Sequence, residues 1–159
     1  MKRLVDLLRE NARLTNKELA VMLGKTPEDV AEEIAKLESD GMIIGYSAII
    51  NEEEYDRNCV TAFIELKVSP QAACGYDDIA AMIAQYREVD SVYLMSGSFD
   101  LSVTIRGTNL REVATFVSDR LAPIDGVLST TTHFILRRYK EKGVEFVREN
   151  VDERSLVSP

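Results

Sequence analysis

The chain has 159 residues, of which 45% are hydrophobic and 29% charged, ordinary values for a globular protein. No apolar run approaches the roughly 20 residues needed to span a bilayer, and the charged N-terminus is unlike a secretory signal. Cys59 and Cys74 lack a CxxC spacing and there is one histidine, so the sequence predicts no metal site and no cofactor. These features favour a cytoplasmic protein.

Two short helices joined by a tight turn are predicted between Thr15 and Gly41. Each begins with a threonine three positions before an acidic residue; the first such pair is a capping box, and the second is a looser acidic variant of it. The pairs are Thr15 with Glu18 and Thr26 with Asp29. Apolar residues at helical spacing follow each cap, and the pattern predicts a helix-turn-helix.

The flanking segments extend this motif. Leucines at helical spacing predict a first helix over residues 2–10. In residues 42–51, two apolar runs flank Gly45, which predicts a small β-hairpin, or wing. Three helices and a wing predict a winged helix-turn-helix domain over residues 1–50.

The second helix of such a motif enters the DNA major groove, and here it is acidic. Residues 1–50 carry seven Lys/Arg and nine Asp/Glu, within a chain of formal net charge −8. Because lysine and arginine supply most of the non-specific affinity for DNA, these carboxylates either weaken or retune binding, or they are simply a solvated face. The residues predicted to face DNA are Lys17, Lys25, Thr26, Glu28, Glu32 and Lys36.

A polar linker, residues 51–58, precedes a second pattern. Strands are predicted over residues 59–68, 89–95, 101–106 and 127–136, and helices over residues 76–86 and 110–121. The order β-α-β-β-α-β predicts an α+β, ferredoxin-like effector and oligomerisation domain over residues 59–139, with both helices on one sheet face. Apolar residues of both parities, among them Phe63, Tyr93 and Phe134, predict that a second subunit covers the other face. The tail, residues 140–159, has a short helical pattern through Val144 and Val147.

Four segments carry a resemblance that spans the chain to about Tyr139. They read ENARLTNKELA, GMIIGYSAIIN, VDSVYLMSGSFDL and APIDGVLSTTTHFIL. In this order and spacing the chain resembles the Lrp/AsnC, or feast/famine, regulators of bacteria and archaea. The resemblance implies a DNA-binding dimer with a barrel-like core that assembles further, and a small metabolite, usually an amino acid, that tunes assembly and DNA binding. Family members carry Arg or Lys on the recognition helix, whereas here only Lys36 keeps that charge.

The resemblance also places effector binding near the turn of residues 96–100 and the last strand. It carries over to Ser96, Gly97, Asp100, Thr130 and Thr132. Asp100 can pair with an α-ammonium group, or alternatively cap its own turn. The threonines can offer hydroxyls to a pocket, or simply be β-prone residues of a strand. His133 is expected to pack within its strand.

The sequence contains no catalytic grouping, P-loop or dinucleotide fingerprint, and it predicts a protein that is not an enzyme. Two functions remain open. One is a transcriptional regulator that binds DNA and responds to a small metabolite, which the resemblance implies is an amino acid. The other is a metabolite-sensing assembly protein whose acidic, degenerate helix-turn-helix acts by co-assembly rather than by direct DNA binding.

Overall fold

The computed structural model describes residues 2–69 and 75–146. Cys74 and Val147, which entered the sequence predictions, lie outside the described residues. The chain divides into two compact units, of which the first ends at Ala48 and the second begins at Ile49.

The first unit contains the three predicted helices, α1 (Lys2–Glu10), α2 (Asn16–Leu23) and α3 (Pro27–Ser39). Both capping boxes are present. In each, the threonine side chain accepts the backbone N–H of the acidic residue, whose carboxylate accepts the threonine N–H in return. The left-handed turn between α2 and α3 occurs at Gly24, with φ 65°. The core is formed by one apolar stripe from each helix: Leu4, Leu8, Leu19, Ala20, Val30 and Leu37.

The predicted wing hairpin is wrong, because residues 43–50 contain no strand. A two-residue hairpin requires positive φ in its turn, and Gly45 does not adopt it. The segment is instead held to the end of α3. The backbone N–H groups of Met42 and Ile43 both donate to the Leu37 carbonyl. The Tyr46 hydroxyl donates to Glu38 Oε1 at 2.9 Å.

The second unit has the predicted ferredoxin-like order, preceded by a short helix, α4 (Glu52–Tyr55), inside the stretch predicted as a linker. The elements that follow are β1 (Val60–Val68), α5 (Tyr76–Ile83), β2 (Val89–Leu94), β3 (Leu101–Gly107), α6 (Leu110–Phe116) with a π-helical turn (Val117–Leu121), and β4 (Val127–Phe134). The strands form one antiparallel sheet in the order β2-β3-β1-β4.

One face of the sheet is covered by α5 and α6, and its side chains form the second core. From β1 the buried residues on this face are Ala62, Ile64 and Leu66. The opposite face, called the outer face below, carries Phe63, which pairs with Thr104 on β3 and His133 on β4. Paired residues of an antiparallel sheet point to the same side. Phe134 pairs with Ala62, so its predicted place on the outer face is wrong and it lies on the helix-covered side.

The predicted helical pattern through Val144 is also wrong. This segment forms a hairpin of β5 (Lys140–Glu141) and β6 (Val144–Glu145). The two residues between them have positive φ, 47° at Lys142 and 87° at Gly143. That geometry is a type I′ turn, whose twist matches a two-residue β-hairpin.

Candidate DNA-binding and effector-binding sites

The six residues predicted to face DNA are all exposed. Lys17 is on α2, while Lys25 and Thr26 lie in the turn before α3. Glu28, Glu32 and Lys36 follow at intervals of four along α3, so they form one line on its surface. The local sequence therefore presents two carboxylates and one ammonium group along the exposed line of this helix.

Lys25 already has a partner within the first unit. Its Nζ donates a hydrogen bond to the carboxylate of Glu33, one turn beyond Asp29 on α3. The Glu33 side chain is only 13% exposed, and the hydrogen bond from Lys25 lowers the pKa of its carboxyl below the ordinary value. The pairing was not foreseen from the sequence. It means that a cation counted as a phosphate contact is neutralised within the protein.

The predicted effector residues lie around Leu66 of β1, one of the two central strands of the sheet. On one side, the backbone N–H of Asp100 donates to the Leu66 carbonyl at 2.9 Å. On the other side, Thr130 of β4 is the strand partner of Leu66, and Thr132 is the partner of Ile64. Ser96 and Gly97 lie in the exposed loop that leads to Asp100. The fold thus brings two distant parts of the sequence to one end of the sheet.

Asp100 also holds the sheet together at this end. One carboxylate oxygen accepts the backbone N–H of Val68 at 2.8 Å, and the other is 3.5 Å from the Tyr76 hydroxyl. The carboxylate therefore bonds to the end of β1 rather than to its own turn, the alternative considered from sequence. Asp100 is only half-buried, so its outer lone pairs remain accessible to a ligand.

The threonine run alternates between the two sheet faces. Thr130 and Thr132 are half-buried and point to the helix-covered side, because their partners on β1 are core residues. Thr131 is exposed and pairs with Glu65 of the outer face. Of these three hydroxyls, only those of Thr130 and Thr132 can therefore contribute to a pocket on the helix-covered side.

The outer face carries an aromatic group that the sequence only partly indicated. The ring of Phe63 lies 6.1 Å from that of Phe99 and 6.1 Å from that of His133. His133 Nε2 is 3.3 Å from the Glu65 carboxylate, and the His133 side chain is 52% exposed. The expectation that His133 is packed within its strand is thus wrong for a single chain.

Residues 2–69 and 75–146 contain no group of three or more His, Cys, Asp or Glu side chains that could hold a metal ion. None of the helices in these ranges is both long and apolar enough to cross a membrane.

Burial raises the pKa of the Cys59 thiol, which disfavours the reactive thiolate at this position.

A helix-turn-helix unit followed by a four-stranded ferredoxin-like unit defines a class of DNA-binding regulators with a ligand-binding domain. Residues 61–145 match the family model of the Lrp/AsnC ligand binding domain, and residues 1–44 match that of a winged helix-turn-helix DNA-binding domain. The chain belongs to the Lrp/AsnC family and is a transcriptional regulator of that type, not an enzyme.

Three relatives illustrate the relationship. The HTH-type transcriptional regulator YugG of Bacillus subtilis is 46% identical over 157 residues, which cover 98% of this chain and 95% of the relative. A feast or famine regulatory protein of Mycobacterium tuberculosis, complexed with L-methionine, is 28% identical with TM-score 0.73, over 88% of this chain and 92% of that one. A transcriptional regulator of Neisseria meningitidis in an L-Met complex is 27% identical with TM-score 0.71, over 87% and 88%.

Proposed function

We propose that this regulator binds DNA through α3 and the cations around it, and that an amino acid bound at the Leu66 end of the sheet changes that binding. The observation that carries the proposal is the meeting of Asp100 and Thr130 on either side of Leu66. Two structural neighbours contain L-methionine, which supports an amino acid as the class of effector.

The groups at this end of the sheet match the chemistry of an amino acid. A half-buried carboxylate, Asp100, can accept hydrogen bonds from an α-ammonium group. The exposed backbone N–H groups of the loop, around Ser96 and Gly97, can donate to an α-carboxylate. Thr130 and Thr132 supply hydroxyls that can serve as either donor or acceptor. A zwitterion needs this combination of donors and acceptors.

The test is calorimetric titration of the intact chain with L-methionine and then with each of the other amino acids. Thr132→Val removes a hydroxyl with little change of shape and should weaken binding about tenfold. Thr131→Val makes the same chemical change one residue away, on the outer face, and should leave binding unchanged. Equal effects of the two variants, or no amino acid that binds, would refute the proposed site.

We also propose a homodimer, assembled further, in which a second copy covers the outer face. The exposed ring of Tyr93 and the aromatic group around Phe63 support this, because exposed apolar patches on a sheet favour association. In this assignment the first unit docks on DNA and the second binds the effector and its copies. A regulator that acts on the chromosome of a bacterial or archaeal cell would work in the cytoplasm.

One observation favours the second candidate function, a metabolite-sensing assembly protein with little DNA affinity of its own. With Lys25 bound to Glu33, the exposed line of α3 keeps a single cation, Lys36. Sequencing of genomic DNA captured by the purified protein, with and without L-methionine, separates the two candidates. Enrichment of defined sites supports the regulator that binds DNA directly, and uniform background in both conditions supports co-assembly.

A further inference from the structure

Arg106, near the end of β3, joins three elements of the second unit. Its Nε donates to the Asp90 carboxylate on β2, and its Nη1 donates to the Glu52 carboxylate on α4. Burial disfavours the charged guanidinium, but the two carboxylates outweigh that effect and raise the pKa of Arg106 above its ordinary value. The guanidinium therefore stays charged and binds both carboxylates at once.

The partner of Arg106 on β2 is placed by a β-bulge. Val89 pairs with Ile105 and Ser91 pairs with Thr104, so Asp90 is an extra residue between two successive pairs of the ladder. A bulge bends the strand locally and changes the direction of a side chain. Here that side chain is the carboxylate that accepts the hydrogen bond from Arg106.

The short helix α4 has few other contacts that could hold it on the sheet. It has four residues, and none of them is buried. In residues 2–69 and 75–146, the contact of Glu52 with Arg106 is the only side-chain hydrogen bond or ion pair that α4 makes. A cavity of about 290 Å³, lined by Glu52, Glu53 and residues 135–138, lies beside it. The position of α4 therefore depends on one ion pair.

The same helix belongs to the tether that joins the second unit to the DNA-binding unit. The first unit ends at Ala48, the second begins at Ile49, and α4 begins at Glu52. Only residues 49–51 separate the boundary from the helix. Because this connection is short, fixing α4 restricts the positions that the first unit can reach.

Arg106 lies on the outer face, two positions beyond Thr104 on the same strand. A second copy that covers this face excludes water from the ion pairs of Arg106, which strengthens them. A homodimer then contains two tethers fixed in this way. Two DNA-binding units that are already held in position lose less freedom when they bind one duplex together, so the duplex binds more tightly.

We propose that Arg106 is a positioning residue for DNA binding, which clamps α4 to the sheet and so restricts the tether of the DNA-binding unit. The inference rests on the proposed function, in which a homodimer binds DNA, and it does not depend on the amino acid effector. Glu52 and Arg106 are 54 residues apart in the sequence, and only the fold brings them together.

Tryptic cleavage of the intact chain after Arg57 reports whether α4 is held. Arg57 is exposed in the turn after α4, and cleavage there requires the surrounding backbone to leave its folded position. Glu52→Gln removes the charge that Arg106 binds and should raise the rate of this cleavage about three- to tenfold. Glu54→Gln removes the same charge from an exposed position of α4 and should leave the rate within about twofold. Cleavage after Arg13, in the first unit, is the internal reference.

Affinity for a DNA duplex separates clamping from simple electrostatics by the sign of the change. Removing a carboxylate reduces the repulsion of phosphates, so electrostatics alone predicts that Glu52→Gln binds at least as tightly as wild type. Loss of the clamp predicts the opposite, an affinity weaker by about threefold or more in fluorescence anisotropy. Glu54→Gln should bind at least as tightly as wild type. Circular dichroism and light scattering verify that both variants keep the fold and the homodimer.

Faster cleavage after Arg57 together with weaker DNA binding, in Glu52→Gln and not in Glu54→Gln, supports the positioning role. The role is overturned if both variants behave alike, if the cleavage rate of Glu52→Gln is unchanged, or if this variant binds DNA as tightly as wild type. Each of these results leaves DNA binding by the wild type intact. A wild-type chain that binds no duplex refutes the proposed DNA binding and the positioning role together.

Discussion

Lys25 and Glu33 are joined by a hydrogen-bonded ion pair that ties the turn before α3 to the helix itself. The pair stabilises the helix-turn-helix and at the same time removes a cation from the set available to DNA phosphates. Affinity for DNA and integrity of the motif are therefore coupled at one carboxylate.

Releasing Lys25 should strengthen DNA binding. Glu33→Gln removes the negative partner, so the ammonium group becomes available to a phosphate. In fluorescence anisotropy titrations with a DNA duplex, the slope of log affinity against log salt concentration should become steeper by about 0.9, because one additional phosphate is neutralised. Glu10→Gln removes the same charge from an exposed position on α1 and should leave the slope unchanged. A slope that is identical in both variants would contradict the coupling.

Reversing the exposed carboxylates tests whether they hinder binding or select bases. Glu28→Arg/Glu32→Arg leaves Glu33 intact and places two cations on the line that ends at Lys36. Non-specific affinity should rise and its salt dependence steepen by about 1–2 in slope. The opposite result, a loss of discrimination between sequences without a gain of affinity, would show that the carboxylates recognise bases, as Glu can with cytosine N4.

The ion pair also predicts a pH dependence of stability. The pKa of Glu33 is lowered in the folded state, so the unfolded chain binds more protons in the range where only the unfolded form titrates. The stabilisation that Glu33 contributes to the folded state is therefore fully present above pH 4.5, the ordinary pKa of a glutamate. It is lost as the pH falls through the lower pKa that Glu33 has in the folded protein. In urea unfolding followed by circular dichroism, the difference in the free energy of unfolding between wild type and Glu33→Gln should become smaller as the pH is lowered from about 7 to about 3.5. Glu28→Gln serves as the control, and a difference that is constant with pH would count against the pair.

Asp100 should show separable structural and ligand-binding roles. Asp100→Asn keeps an oxygen that can accept the Val68 N–H, so stability should change little, while the thermal shift caused by L-methionine should disappear. Asp100→Ala removes both the acceptor for the Val68 N–H and the ligand-binding carboxylate. The unpaired Val68 N–H should then lower the free energy of unfolding by roughly 1–3 kcal/mol. A full ligand response in the Asn variant would place the effector elsewhere.

Self-association should depend on the outer face. Tyr93→Lys introduces a charge there and should shift the protein toward smaller species in light scattering at micromolar concentration. Tyr55→Lys is the matched change at another exposed tyrosine, 81% exposed and outside the sheet, and should have no effect. A chain of residues 49–159 should remain at least dimeric if the sheet forms the main interface.

Several features of this protein follow from short stretches of sequence. Capping depends on residues three positions apart, and Thr15 with Glu18 or Thr26 with Asp29 could be identified without any tertiary information. The period of apolar residues gave the strands and helices of the second unit in their order, because one face of each must enter a core. The acidity of α3 is likewise a property of composition.

Other features depended on contacts between distant residues. Gly45 suggested a hairpin, but the segment bonds to Leu37 and Glu38 of α3 instead. Val144 suited a helix by spacing, yet a lysine with positive φ turned the chain into a hairpin, a conformation for which lysine gives no sequence signal.

The candidate site shows the same division. Asp100 and the threonines were identified as residue types suited to an effector, whereas the strand order decided that Leu66 separates them. Strand pairing also decided that Thr130 and Thr132 point away from Thr131 and His133, and that Phe134 faces the helices. The register of an antiparallel sheet is set by the combined packing of all four strands, and so no single strand contains it.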